Sequence, residues 1–244
     1  MSGGIAWYPV LTAAAMGASL IVTARLARGE TMRGRGSSLA AIWSGALVGA
    51  FMGATVTYAF AEGLQVHGDW RAFVSGRSIT GALLGGYVGV EFAKRVVGWR
   101  DATGDLFAVT VPLAIAIGRI GCVAAGCCQG VACEPSWWTV ADAHGHARWP
   151  AAQAELVFNL AFVGWALLAA RYGWQRTQRF HVYLIAYGLF RFAHEFARDD
   201  VRFAGPIGGY HVVAALLVAL GAWRYVVRAR AVTQEAAVPS AASR

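Results

Sequence analysis

The chain has 244 residues, of which 57% are apolar and only 14% charged, and its mean hydropathy is +0.49. Such a composition excludes a disordered protein and argues against an ordinary soluble enzyme. The net charge of +8 rests almost wholly on arginine, since Lys94 is the single lysine. The arginines sit between long apolar runs, which is a membrane pattern and not a nucleic-acid one.

Taken in chain order, seven runs approach the roughly 20 apolar residues needed to cross a bilayer. They cover 5–26, 39–61, 79–97, 104–122, 153–171, 181–198 and 208–227. The second and seventh are the clearest. The third is rich in glycine and carries Glu91, so a shorter or partly re-entrant segment is expected there. Its Gly81, Gly85, Gly86 and Gly89 fall at helical spacing and let another backbone approach closely. The loops after the first, third and fifth runs and the C-terminal tail hold fourteen of the 21 basic residues. Opposite them lie Arg71, Arg77, Arg148, Arg198 and Arg202. The positive-inside bias then places the N-terminus outside and the C-terminus in the cytoplasm. An all-α polytopic membrane protein of about seven helices is expected, with one transmembrane domain over 1–230. Residues 231–244 are small and polar and read as a disordered cytoplasmic tail. The first run lacks a positive leader and ends in an arginine-rich loop, so it reads as a retained anchor.

Charge inside an apolar run costs several kcal/mol unless it is paired or faces a polar cavity. Two arginines are so placed. Arg119 sits near the outer end of the fourth run, between Gly118 and Gly121. Arg191 lies in the sixth run, where helical spacing puts Tyr187, Arg191, Glu195 and Arg198 on one stripe with His194 beside it. Arg191 and Glu195 are four apart and can pair. An ion pair locking two helices is one reading; a site for an anionic ligand is the other. Both arginines reach the outer leaflet in this topology, where two guanidinium forks suit a phosphate such as a phospholipid headgroup.

These residues carry a resemblance. The segment Tyr187 to Phe192 with Glu195 and Arg198, and the Gly118-Arg119-Ile120-Gly121 run followed by Gly126 and Gly130, resemble the motifs of the prolipoprotein diacylglyceryl transferase family. Weaker likenesses are Trp7-Tyr8, the glycine-rich stretch from Gly76 to Gly85, and Arg148-Trp149-Pro150 followed by Glu155. The resemblance implies a seven-helix inner-membrane enzyme that moves a diacylglyceryl group from phosphatidylglycerol to a lipobox cysteine thiol and releases glycerol phosphate. It implies that Arg119 and Arg191 bind the lipid phosphate, that Glu195 positions Arg191, and that Tyr187 and Tyr8 line the pocket. His194, Arg198, Thr80, Gly118, Gly121 and Gly130 complete the expected substrate-binding positions. The chain also departs from the pattern. The family histidine that is thought to act in catalysis is replaced by Thr80, two asparagines by Cys122 and Ala125, and an acid by Cys127. His67 and His194 are the histidines that could substitute as a base, though neither stands at the matching position.

Cys122, Cys127, Cys128 and Cys133 fall within twelve residues. Disulfides suit an oxidising outer face. Metal binding is the weaker reading, because the spacing lacks the usual Cys-x2-Cys pairs, and no metal or cofactor is expected. A reactive thiol is the third reading, because a guanidinium nearby raises the thiolate fraction. The catalytic candidates are therefore Arg119, Arg191, Glu195, Cys122 and Cys127. The expected partners are an anionic phospholipid, phosphatidylglycerol, and a prolipoprotein lipobox, with no nucleic acid. Two rival functions share the scaffold: a membrane thiol, redox or sulfur-transfer enzyme using Cys122, Cys127 and Cys128, and a non-catalytic lipid or solute carrier.

Overall fold

The computed structural model describes residues 36–62, 76–203 and 205–237, with side chains as far as 231, besides the single position 17. The first expected run, Tyr8 and His67 lie outside the described residues. The described chain forms helices α1 (Gly36–Glu62), α2 (Ile79–Val96), α3 (Gly104–Ala124), α4 (Ala151–Tyr172), α5 (Arg179–Glu195) and α6 (Gly209–Ala237). A two-residue hairpin, β1 (Val140–Ala141) and β2 (Ala147–Arg148), interrupts the long connection between α3 and α4. Four of these helices, α1, α3, α4 and α6, are long and apolar enough to cross a membrane. Their outward faces fit that reading: Phe51, Met52, Val56 and Phe60 of α1 all stand exposed. A soluble domain rarely leaves so continuous an apolar face in water.

The glycine expectation is met in detail. Gly81, Gly85 and Gly89 of α2 face Gly53, Gly49 and Gly45 of α1, so the two helices run antiparallel with backbones touching. A Cβ at Gly85 would strike the carbonyl of Gly49 and would stand 2.8 Å from the Gly53 Cα. Gly86 differs: a Cβ there meets Ala46 and Ala50 at an ordinary 3.5 Å. The α2 segment is a continuous helix of 18 residues. Its start is fixed by Ser78, whose hydroxyl accepts from the Gly81 N–H at 3.3 Å, a common way to satisfy an orphan donor at a helix start.

Two sequence boundaries are corrected. The sixth run ends as a helix at Glu195, not at residue 198. Phe196 and Ala197 form a turn, and Arg198 instead makes an isolated bridge with Gly130. The last helix continues to Ala237, past the expected start of a disordered tail. Alanine, glutamine and glutamate in that stretch are good helix formers.

The core lies where α3, α4, α5 and α6 meet. Phe107, Phe162, Tyr183, Leu184, Tyr187 and Leu217 are buried there. The Phe162 and Tyr183 rings are 4.8 Å apart, and Phe158 stacks on Phe190 at 4.4 Å. At the opposite end from Arg119, Asp105 in the first turn of α3 clamps the α4–α5 turn. It accepts from the Thr177 N–H at 2.8 Å and from the Arg179 guanidinium at 3.0 Å. The Gly85→Val substitution is expected to destabilise the protein by about 1–3 kcal/mol through overpacking, whereas Gly86→Ala stays near wild type. Thermal unfolding in detergent distinguishes them, and equal melting temperatures would refute the backbone contact.

Candidate functional site

Arg119 and Arg191, the charged residues that the sequence placed in apolar runs, meet in one place with Glu155, Tyr187 and Glu195. Arg119 comes from the end of α3, Glu155 from the first turns of α4, and Tyr187, Arg191 and Glu195 from α5. All five are buried. The Arg119 Nη2 donates to Glu155 Oε2 at 2.6 Å, and the Tyr187 hydroxyl donates to Glu155 Oε1 at 2.8 Å. One turn further along α4, the Tyr183 hydroxyl donates to Asn159 Oδ1 at 2.8 Å. Glu155 thus ties three helices together through one carboxylate. Sequence reasoning placed it only in a weak motif. A carboxylate inside an apolar run was the available signal, but its partner lies 36 residues away in the chain.

Arg191 pairs with Glu195 at 2.6 Å, as the four-residue spacing predicts, and lies 3.7 Å from Asp200. Asp200 also receives the Arg198 Nε at 2.8 Å. Burial pushes the Asp200 carboxyl up, but Arg198 and its neighbours hold it below the usual carboxylate value. Arg202 donates to the Glu195 carbonyl at 2.6 Å and stands 3.9 Å from its carboxylate. Four arginines (Arg119, Arg191, Arg198, Arg202) therefore face Glu155, Glu195 and Asp200, with Glu62 of α1 close to Arg198 and Asp200.

Donors remain. The Arg119 Nε, the Arg198 Nη1 and the His194 Nδ1 are buried without a hydrogen-bond partner among the described residues, and so are the Arg191 Nη1 and both Glu195 carboxylate oxygens, whose 2.6 Å ion pair lacks hydrogen-bond geometry. His194 has its other ring nitrogen 3.0 Å from the Trp149 indole N–H, which donates to it, so Nδ1 carries the proton. Buried donors left unmade cost about 1–3 kcal/mol each. An acceptor-rich anion would satisfy them.

The other expected site residues have more local roles. Gly130 is held against Ala197 and the Trp149 ring so closely that no Cβ fits, which docks the α3–α4 connection on Arg198. A Cβ at Gly118 would meet open space, and Gly121 is buried in the last turns of α3. Among the described residues the Thr80 hydroxyl is paired with Ser78 at 2.8 Å and does not join the arginine cluster. In the same connection, the Asp142 carboxylate accepts from the His144 and His146 N–H groups at 2.8 and 2.9 Å. These bonds fold the hairpin and leave both imidazoles exposed.

All four cysteines stand as free thiols, and the disulfide reading of the cluster is not the one formed in the structure. The Sγ atoms of Cys122, Cys127 and Cys128 lie within 4.8 Å of one another. Arg119 Nη1 is 3.6 Å from the Cys122 sulfur. The Cys128 thiol is pushed down to about 5 by hydrogen bonding from Cys122, opposed by burial and helped by Arg119, Cys127 and Arg198. Burial pushes the Cys127 thiol up.

A helical bundle with four spans long and apolar enough to cross a bilayer, and a buried charged cluster between its helices, is that of an integral membrane protein. The sequence matches the family model of prolipoprotein diacylglyceryl transferase over residues 2–227, and the chain belongs to that family. It is 32% identical over 136 residues to the phosphatidylglycerol–prolipoprotein diacylglyceryl transferase of Dehalococcoides mccartyi strain 195, a match covering 52% of each protein. The enzymes of the same name from strains BAV1 and CBDB1 are 31% identical over the same length. The chain thus spans about half the length of the curated relatives it matches.

Replacing Glu155 with alanine leaves Arg119 buried and unpaired. The expected loss is about 3–5 kcal/mol of stability, seen as a large drop in melting temperature. A melting temperature within error of wild type would show that the pair does not hold the helices.

Proposed function

We propose that this chain is a phospholipid-dependent transferase of the bacterial cytoplasmic membrane. It takes a diacylglyceryl or other glycerol-derived group from phosphatidylglycerol and passes it to an acceptor thiol, for which a lipobox cysteine is the family precedent. The observation that carries this reading is the set of buried, unpartnered donors at Arg119, Arg198 and His194. A phosphodiester supplies the acceptor oxygens they lack. A mostly apolar cavity of about 330 Å³ runs along α2 and α3 from Ile79 and Ile115 to Thr103, Gly104 and Arg224 at the end away from Arg119; acyl chains suit such a lining, though none of the cluster arginines lines it.

Each residue then has a role. Arg119 and Arg191 grip the phosphate and stabilise the charge that grows as glycerol phosphate departs. Glu195 positions Arg191, Glu155 positions Arg119, and Tyr187 fixes Glu155. Cys122 and Cys127 stand beside the reacting group. The transmembrane unit spans 1–230, with seven helices, the N-terminus outside and the C-terminus in the cytoplasm.

A membrane thiol, redox or sulfur-transfer enzyme on the same scaffold is the second reading, favoured by the three sulfurs within 4.8 Å. Incubation of the purified protein with labelled phosphatidylglycerol and a lipobox peptide separates the two. Release of glycerol phosphate with a lipidated peptide is expected. Removing one preorganised charge partner of the transition state typically costs on the order of 100-fold or more in rate, so Arg191→Ala should fall at least that far. Turnover by that variant at the wild-type rate would defeat the proposal, and glycerol phosphate release without peptide modification would point to another acceptor.

A further inference from the structure

We propose that Cys122, Cys127 and Cys128 form a binding site for a thiophilic metal ion of the zinc class, with one coordination position left open for an external thiolate. The chain spacing hides this site. Cys122 lies in the last turns of α3, and the helix ends two residues later at Ala124. Gly126 and Cys128 both take left-handed backbone angles, with φ of 62° and 59°. That conformation is uncommon for a side chain larger than glycine. Here it folds the chain back so that two further sulfurs return to the first.

The distances suit an ion. Metal–sulfur bonds of about 2.3 Å put the sulfurs of one ion about 4 Å apart. The three Sγ atoms already lie within 4.8 Å of one another, so closing on an ion needs movements under about 1 Å. A disulfide uses the cluster less well. Cys127 and Cys128 are adjacent, and a trans peptide holds their Cα atoms about 3.8 Å apart, below the usual disulfide span. Any bond to Cys122 would strand the third thiol.

Three thiolates on a divalent ion carry one net negative charge, and the Arg119 guanidinium, though paired with Glu155 at 2.6 Å, lies 3.6 Å from the Cys122 sulfur. Cys127 and Cys128 are exposed, so the fourth position faces outward, where water or a thiol can enter. Zinc sites with three protein ligands and an open position are the catalytic kind. A thiol entering there displaces the bound water, binds as thiolate and gives its proton to solvent. Metal coordination deprotonates a thiol outright, so the site would supply an activated acceptor thiol where Thr80 offers no base. This last role rests on the transferase reading; the metal site itself does not.

The test is run on the reduced full-length protein in detergent, without phospholipid, so that it stands apart from turnover. Cobalt(II) is the probe, because its absorption reports both sulfur ligands and geometry, and zinc competition gives affinity. One ion per chain is expected. Cys127→Ser and Cys128→Ser each weaken binding at least tenfold, while Cys133→Ser matches wild type. Adding a small thiol such as N-acetylcysteine shifts the cobalt spectrum of the wild type. Binding that is unchanged in Cys128→Ser would overturn the site, and so would recovery of a Cys122–Cys128 disulfide under the reducing conditions. A cobalt spectrum that the added thiol does not move would overturn the open position.

Discussion

A guanidinium cannot be left alone between apolar helices, and the arrangement of this bundle follows from that constraint. Desolvating an ion costs several kcal/mol even after relaxation. Arg119 meets this cost through Glu155 at 2.6 Å, and Arg191 through Glu195 at the same distance. The first pair joins α3 to α4, and the Tyr187 hydroxyl extends it to α5. The second pair lies within α5 and is braced by Asp200 and Arg202 from the segment that follows. Pairing does not use every donor. The Nε of Arg119 and Nη1 of Arg198 keep their hydrogens unmet among the described residues. Buried donors left unmet are costly, and the proposed phosphate would satisfy them.

The connection between α3 and α4 completes the arrangement. The backbone bridge from Gly130 to Arg198 and the indole bond from Trp149 to His194 fasten this segment to the end of α5. The same connection carries Cys127 and Cys128 back to Cys122 beside Arg119. The anion-ready donors and the three sulfurs therefore share a wall. In the proposed chemistry one half of the wall holds the leaving phosphate and the other presents the incoming sulfur.

Much of this was legible in the amino-acid sequence, for reasons that differ by residue. The six described helices stand where apolar runs predict them, because length and hydropathy are local properties. Arg119 and Arg191 stood out because charge in such a run is costly. The Arg191–Glu195 pair followed from spacing alone. Gly81, Gly85 and Gly89 announced a close approach, but their partners Gly45, Gly49 and Gly53 were not named, since one face does not reveal which helix covers it. Glu155 was underrated because its partners Arg119 and Tyr187 are 36 and 32 residues away. Arg198 was placed on a helical stripe, yet the helix ends at Glu195 and the bridge to Gly130 brings it in by another route. The cysteine convergence depends on left-handed backbone at Gly126 and Cys128, which no spacing rule displays.

The central claim is that the unmet donors of the arginine cluster select an anionic phospholipid headgroup. Native mass spectrometry of the purified protein, offered phosphatidylglycerol and phosphatidylcholine of equal chain length, tests it most directly. The account predicts that phosphatidylglycerol is retained preferentially and that Arg119→Lys, which keeps the charge but loses the fork, erases most of the preference. Equal retention of the two lipids by the wild-type protein would contradict it.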